Sequence, residues 1–494
     1  MNAFVSTGIF GLFMVATVAL GLASARGRGK TNLADWSVAG RNLGSVLIWV
    51  LLAGEIYTSF SYLGAAGWGY AYGVPIYYEF AYLGCGFALG YFVGPMLWGY
   101  ARKHNLVSIS DIVSHRFQSP WLGGFVAVLA TIFLLPYIQL QITGMGVVLS
   151  TISYGTVSLN WAYAIAFGVT EAFILVSGLR GSAWVSVLKD SLVIITLLAL
   201  AIYIPVHYFG GYSGLFTKMI NTHPEWLTLP GHDSPGLGVG WFVTTGILNS
   251  LAFVVFPSIV VGYLGARSGK ALRRNAIFLP FYQVLLFIPM LLGMAALFVV
   301  PSLTNSNLAL FEMVTASLPA WAVGFVGVAG ALSSIVPMAV FMLVIGTMWG
   351  RSILGASQRT APYQKSLSQL VAFLSGAIAL LLTYVAPNTL VRLSVLSYEG
   401  IAQFVPLLLL GLLWRRMTTT GAVSGLVVGV TLNAILVFSG HDPLYGINAG
   451  LISLVVNIAV NVVVSIKGPR RATDPAEPEL VADEARPGQE APAS

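Results

Sequence analysis

The sequence predicts an all-α membrane protein with thirteen transmembrane helices. Three observations carry that prediction. Of the 494 residues, 57% are hydrophobic and only 8% are charged, whereas an ordinary soluble domain carries about 25% charged residues. Apolar stretches long enough to cross a bilayer as helices recur along the whole chain, a crossing taking about 20 residues. Membrane-spanning strands would instead show segments of about ten residues with alternating polarity, and the sequence contains none.

The apolar stretches lie at about 5–25, 46–67, 73–99, 123–151, 156–179, 183–206, 240–264, 274–299, 322–349, 368–386, 393–414, 418–438 and 446–467. Several exceed the minimum length, so tilts or breaks are expected inside them. The first ends in small residues like a secretory leader. It lacks a basic start and its apolar core is too long, so it reads as an uncleaved span. The loop at about 207–239 contains Trp226, three prolines and several glycines, leaving room for a short surface helix or lid. Residues 1–467 form the transmembrane domain. Residues 468–494 are rich in Pro, Ala and Glu without an apolar period and read as a disordered cytoplasmic tail.

The basic residues set the orientation. Every second loop carries them: Arg26, Arg28, Lys30 and Arg41, then Arg102, Lys103 and Arg116, then Arg180, and so on to Arg415, Arg416 and the tail. The other loops hold only Lys218 and, at an edge, Arg392, while Lys189 lies inside a span. Basic loops stay cytoplasmic, so the N-terminus is placed outside and the C-terminus inside, which requires an odd number of spans. The net charge of +7 is thus an orientation signal and not a nucleic-acid surface. The single cysteine, Cys85, excludes a disulfide framework and a cysteine metal cluster. With no Walker A loop and no ligand spacing among the six histidines, the chain does not read as an enzyme.

A charge at mid-bilayer costs about 2.5–3.5 kcal/mol on insertion scales, so ionisable residues inside spans are site candidates. In LLAGEIYTSF, Glu55 follows Gly54 and precedes Tyr57, Thr58 and Ser59, with Gly64, Gly67 and Gly69 beyond. Glycines around a polar core suit a broken helix, whose freed carbonyls coordinate hard cations such as Na⁺. A structural glutamate bonded to a neighbouring helix is the plainer alternative. Tyr77, Tyr78 and Glu79 suit a polar organic solute or, equally, an interfacial aromatic belt. Lys189 and Asp190 stand near the cytoplasmic end of the sixth span. As sequence neighbours they should not face each other, so each needs its own partner or must snorkel. Glu171 and Glu399 read as structural. Ser333 and Ser334, near Gly330 and before Pro337, offer two hydroxyls on a loosened backbone, which fits either an oxygen cage for Na⁺ or helix packing.

Taken together, these pieces resemble the sodium:solute symporter family. DWSVAGRNLG (35–44) is similar to that family's loop between its first two helices, and GLRGSAWVSVLKD (178–190) to its glycine-rich approach to the sixth. AGALSSIVP resembles the A-x-x-S-[ST] sodium motif with Gly330 in place of alanine, and LLLLGLLWRRMTTTGAVSG (407–425) a family junction. The resemblance implies a LeuT-type fold with an inverted 5+5 repeat, helices 2–6 and 7–11, in a multi-pass protein of the cell (inner) membrane. The charge topology agrees, since an odd repeat must be inverted relative to its partner. Na⁺ is then the coupling ion. The resemblance implies a sodium site of the Ser333 and Ser334 hydroxyls, the Gly330 carbonyl and the carbonyls of Gly54 and Tyr57; a shifted register selects Ala53 and Ile56 instead. Asp190 matches an acidic residue near the inner end of the sodium pathway. Tyr78 and Glu79 match a substrate pair, joined by Glu55 and Thr58 at the break and by Asn249 in the seventh span.

For the solute, AGEIYTSFSY and LPYIQLQITGMGVVL (135–149) look most like the bacterial monocarboxylate permease branch. That implies a small organic acid of the lactate, pyruvate or acetate kind, carried by alternating access. Proton coupling, and proline-like amino acids, pantothenate or sugars as solutes, are alternatives; a membrane sensor is a distant one.

Overall fold

The apolar stretches of the sequence become helices that expose aliphatic and aromatic side chains outward, among them Phe4, Phe92, Trp121, Trp161, Ile195 and Ile202. Such a surface is stable against lipid tails and not against water. The computed structural model describes residues 1–25, 33–356, 363–388 and 390–468. The tail expected at 468–494 therefore lies, beyond Gly468, outside the described residues.

The helices are α1 Asn2–Ala25, α2 Leu33–Val38, α3 Ser45–Gly54, α4 Ala65–Ala71, α5 Tyr78–Lys103, α6 Ile109–Phe117, α7 Pro120–Ile152, α8 Leu159–Phe209, α9 Tyr212–Thr222 and α10 Val239–Val255. There follow α11 Pro257–Gly265, α12 Gly269–Gln283, α13 Phe287–Val299, α14 Ala309–Ser317, α15 Ala320–Ser352, α16 Gln364–Val385, α17 Leu390–Ala402, α18 Gly411–Leu413, α19 Thr419–Phe438 and α20 Ala449–Lys467. Among the described residues no strand occurs; the backbone bridges Leu43 with Ala266 and Leu444 with Ile447 are isolated. Among the described residues, ten helical segments are long and apolar enough to cross a membrane, and the bent pair α10–α11 makes up to eleven. The remaining expected spans contain shorter apolar helices, Ser45–Gly54 and Leu159–Ile174.

Local chemistry sets where the helices start and bend. Ser108, Ser119, Ser268, Thr418 and Asn448 cap α6, α7, α12, α19 and α20 by accepting backbone N–H bonds. Pro257 opens α11 after a 42° bend, because proline suits a first helical turn and not an interior. The fifth and sixth expected spans are one run, α8, kinked at Gly178 with φ 56° and ψ −168°. A Cβ at Gly178 would stand 2.8 Å from Trp36 Cδ1. Only glycine visits this backbone region readily.

α15 is the axis of the bundle, and its most apolar window is wholly buried. It packs on α1, α7, α8 and α16. Ser6 of α1 donates to the Ile152 carbonyl at 2.5 Å, and Phe13 meets Phe325 edge-on at 5.0 Å. The long loop holds α9 and buries Trp226, whose indole N–H donates to the Tyr70 carbonyl at 2.9 Å.

Candidate functional site

The site begins where α3 stops. Its last residue is Gly54, and residues 55–58 are non-helical before the chain resumes as a π-turn at Phe60–Gly64 and then α4. Unwinding leaves backbone groups to satisfy inside a bilayer, where each orphan costs several kcal/mol. Side chains supply the partners, from α7 and from the break itself. The Ser59 N–H donates to Gln141 Oε1 at 3.1 Å, and Thr58 Oγ1 accepts the Phe60 N–H at 3.1 Å. Ser61 Oγ bonds the Ile56 carbonyl at 2.6 Å.

The carbonyls of Gly54 and Tyr57 receive a cation from the chain itself. Lys189 Nζ donates to Gly54 O at 2.7 Å and to Tyr57 O at 2.8 Å, and lies 3.2 Å from Asp190 Oδ1. The lysine side chain has no exposed surface. Two expectations change here. Lys189 neither snorkels nor avoids its neighbour, because its long stem folds the ammonium back onto Asp190. Nor does it sit at a span end. The helix starts at Gly178 and not at 183, so Lys189 stands about 16 Å along it, at 1.5 Å per residue.

A sodium ion does not fit at these two carbonyls as the side chains stand, since the ammonium occupies the position such an ion would take. In the shifted register the Ala53 carbonyl accepts from the Ile56 and Tyr57 N–H groups, and the Ile56 carbonyl accepts from Thr58 N–H and Ser61. On α15, Ser333 Oγ donates to its own helix at Ala329 O, 2.8 Å. Ser334 Oγ donates to Gly330 O at 3.2 Å and meets Ser59 Oγ at 2.6 Å. The α15 hydroxyls thus reach the break through Ser59, which the sequence reading did not select. Gly330 packs closely; a Cβ there would come 2.9 Å from Phe311.

The expected substrate residues fall into one connected group and two separate positions. Glu79 is fully buried and hydrogen-bonded to Ser61, so the start of α5 is tied to the break. Tyr78 beside it rests on Phe60 at 6.5 Å, Tyr82 at 5.9 Å and Trp241 at 5.1 Å, with its hydroxyl unbonded. Tyr137 and Tyr398 extend this aromatic wall, meeting each other at 6.2 Å and both meeting Phe256. Glu55 is buried at the break without a hydrogen bond to either carboxylate oxygen. Asn249, in the middle of α10, is buried with both amide atoms unbonded. Its neighbour Ser250 ties α10 to the Tyr82 carbonyl at 3.1 Å.

Trp241 also lines a cavity of about 420 Å³ at one end of the bundle, shared with Trp68, Asp233, Arg392 and Asp442. Arg392 and Asp442 pair across it at 2.5 Å. The aromatic wall therefore leads from this cavity to Glu79. Sequence reasoning missed Ser59, Ser61, Gln141, Tyr137, Trp241 and Tyr398. For Tyr137 and Gln141 a signal existed: they are four apart in an apolar span and so share a helix face.

The chain is similar to known proteins in sequence and fold. A family model described as the sodium:solute symporter family matches residues 36–429. The uncharacterized symporter YhjB of Bacillus subtilis (strain 168) is 34% identical over 477 residues, covering 93% of this chain and 96% of that one. The monocarboxylate transport permease protein of Rhizobium johnstonii is 28% identical over 485 residues, covering 94% and 97%. Among solved structures, a Na⁺-coupled sialic acid symporter in its substrate-bound outward-open state aligns with TM-score 0.77 at 15% identity, over 94% of this chain and 97% of that one. At that identity the likeness establishes a shared LeuT-type fold. From the match along 36–429 and the end-to-end kinship with YhjB, the chain belongs to the sodium:solute symporter family.

Proposed function

We propose that this chain imports a small monocarboxylate, of the lactate, pyruvate or acetate kind, by ion-driven alternating access across the cell membrane. The observation that carries the reading is the break at 55–58. A helix is interrupted deep in the protein, its freed carbonyls are met by a buried ammonium, and Glu79 is tied to the same turn. Broken helices at the midplane are where transporters of this architecture hold solute and ion. The family is one of transporters and not enzymes.

Thirteen spans follow in this reading. The short helix α3 continues through the break into α4 as the second span, and the kink at Gly178 divides α8 into the fifth and sixth. Helices 2–6 and 7–11 then form the inverted repeats, and the bend at Phe256 in the seventh span is the counterpart of the break in the second. The alternation of basic loops places the N-terminus outside. The cavity holding Arg392 then faces outward.

The solute enters that cavity and passes Trp241 to the wall of Tyr78, Tyr82, Tyr137 and Tyr398 beside Glu79. Support for a monocarboxylate comes from the Rhizobium johnstonii relative, a monocarboxylate transport permease protein. Na⁺ is the coupling ion named for the family and for the sialic acid symporter. The test is uptake by proteoliposomes over labelled monocarboxylates, proline, pantothenate and sugars, under separately imposed Na⁺ and pH gradients. Accumulation of a monocarboxylate in preference to the others is expected. Accumulation of another solute alone would replace the substrate class.

A further inference from the structure

Resting on the transport reading, we infer that the Lys189 ammonium is a built-in cation that takes the place of a sodium ion at the helix break, so that this chain's transport cycle runs without sodium. Three features support it.

The first is the match of donors to acceptors. An ammonium has three N–H donors and no acceptor. Here two of them reach the Gly54 carbonyl at 2.7 Å and the Tyr57 carbonyl at 2.8 Å, and the ammonium forms an ion pair with the Asp190 carboxylate at 3.2 Å. Carbonyls of an unwound helix together with a carboxylate are hard oxygen ligands, the set a small cation seeks. A second cation held by the same oxygens would overlap the ammonium and be repelled by it.

The second is access. Lys189 reaches the break because α3 ends in glycine: a Cβ on Gly54 would stand 2.8 Å from Ser186 Oγ and 3.6 Å from Lys189 Cε. Ser186 lies one turn before Lys189, so α8 presses its polar face against the end of α3. The third is the state of the α15 hydroxyls. Ser333 and Ser334 donate to their own helix, and Ser334 meets Ser59 rather than the two carbonyls. The oxygens that hold the ammonium come from the break and from α8.

A lysine kept only for packing would leave no cation site when removed. An ammonium standing in for an ion leaves one. Lys189→Ala vacates two carbonyls and the Asp190 carboxylate, whereas Lys189→Met removes the charge and keeps the bulk. The purified full chain in detergent is heated in sodium, potassium or choline chloride, and the same proteins are assayed for monocarboxylate uptake in proteoliposomes. For wild type, equal midpoints in the three salts and uptake within about twofold when choline replaces sodium are expected. For Lys189→Ala, sodium at ten times its Kd multiplies the folded-to-unfolded ratio about elevenfold, raising the midpoint by about 1–2 °C in a chain this long. Potassium and choline have no such effect. Lys189→Met gains nothing from sodium and loses uptake.

Sodium-activated uptake by wild type overturns the inference, and so does a Lys189→Ala protein indifferent to sodium or a Lys189→Met protein that transports normally. Should neither variant fold, the wild-type protein decides alone by its indifference to sodium or its need for it. Absence of uptake of any solute under any gradient would count against the transport reading instead. The salt series on the folded protein would still confirm or overturn the cation assignment.

Discussion

The contact between the break and the bundle axis is a pair of hydroxyls, Ser59 and Ser334, 2.6 Å apart and both buried. Its energetics follow from counting protons. Ser334 has one donor, and the Gly330 carbonyl at 3.2 Å can take it; Ser59 then donates to Ser334 Oγ. Ser59→Ala leaves Ser334 bonded to Gly330 and removes one neutral hydrogen bond, a loss of about 1 kcal/mol. Ser334→Ala strips the buried Ser59 hydroxyl of this acceptor, and an unsatisfied buried donor costs about 1–3 kcal/mol. The double variant removes the orphaned hydroxyl as well and costs about as much as Ser59→Ala alone, so the cycle shows a coupling of about 1–3 kcal/mol. Ser333→Ala is the control: its hydroxyl bonds only its own helix, and the change is within about 0.5 kcal/mol. Equilibrium unfolding of the purified protein in mixed micelles measures all four. Ser59→Ala costing more than Ser334→Ala, additive single variants, or Ser333→Ala matching Ser334→Ala would each refute the assignment of this contact.

Three further outcomes are expected. Gly178→Ala forces a side chain into φ 56° and to within 2.9 Å of the Trp36 carbonyl, so it destabilises by about 2–3 kcal/mol; an unchanged thermal midpoint would show that α8 does not need this kink. Ser61→Ala cuts the tie between the break and Glu79, and leaving the buried carboxyl without that partner, about 1–3 kcal/mol, lowers uptake about tenfold or more while folded protein persists. Glu79→Gln keeps an acceptor for Ser61 and should lose less uptake than Glu79→Ala. His104 and His115, at the end of α5 and in α6, have their rings 4.1 Å apart. Burial lowers the pKa of both, and the charge of His115 further lowers that of His104. Each therefore binds a proton less readily folded than unfolded, so stability is full above the ordinary histidine value of about 6.5 and falls as pH drops through it. Melting of His104→Gln from pH 7.5 to 5 should show a shallower decline than wild type.

Much of this architecture is written in local sequence. A run of apolar residues needs no partner to declare itself, because the bilayer acts on each segment separately. The break is legible for the same reason: Gly54, Glu55, Thr58 and Ser59 are poor choices for an unbroken span, whatever packs against them. What local pattern does not disclose is which side chains answer the break. Gln141 and Ser334 lie 82 and 275 residues from Ser59; their own stretches mark a polar helix face and a serine pair, but not Ser59 as the partner. The aromatic wall is hidden similarly. Tyr137 and Tyr398 each look like ordinary membrane aromatics until α7 and α17 bring them together.

Lys189 shows how a small boundary error changes chemistry. With the sixth span starting at 183, the lysine lies near the cytoplasmic end of the span and must find its own partner or snorkel to water. Starting the helix at Gly178 adds five residues, about 7.5 Å, and no lysine stem spans the distance then left to water. A buried ammonium must be paired, because an isolated one costs several kcal/mol even after relaxation. The unwound turn at Gly54–Tyr57 offers the complementary need, carbonyls with no helical N–H to receive. Each feature alone would be a liability in lipid; together they cancel. A glycine at 178 that permits the kink and a glycine at 54 that permits the approach thus decide jointly that the cation at this break is carried by the chain.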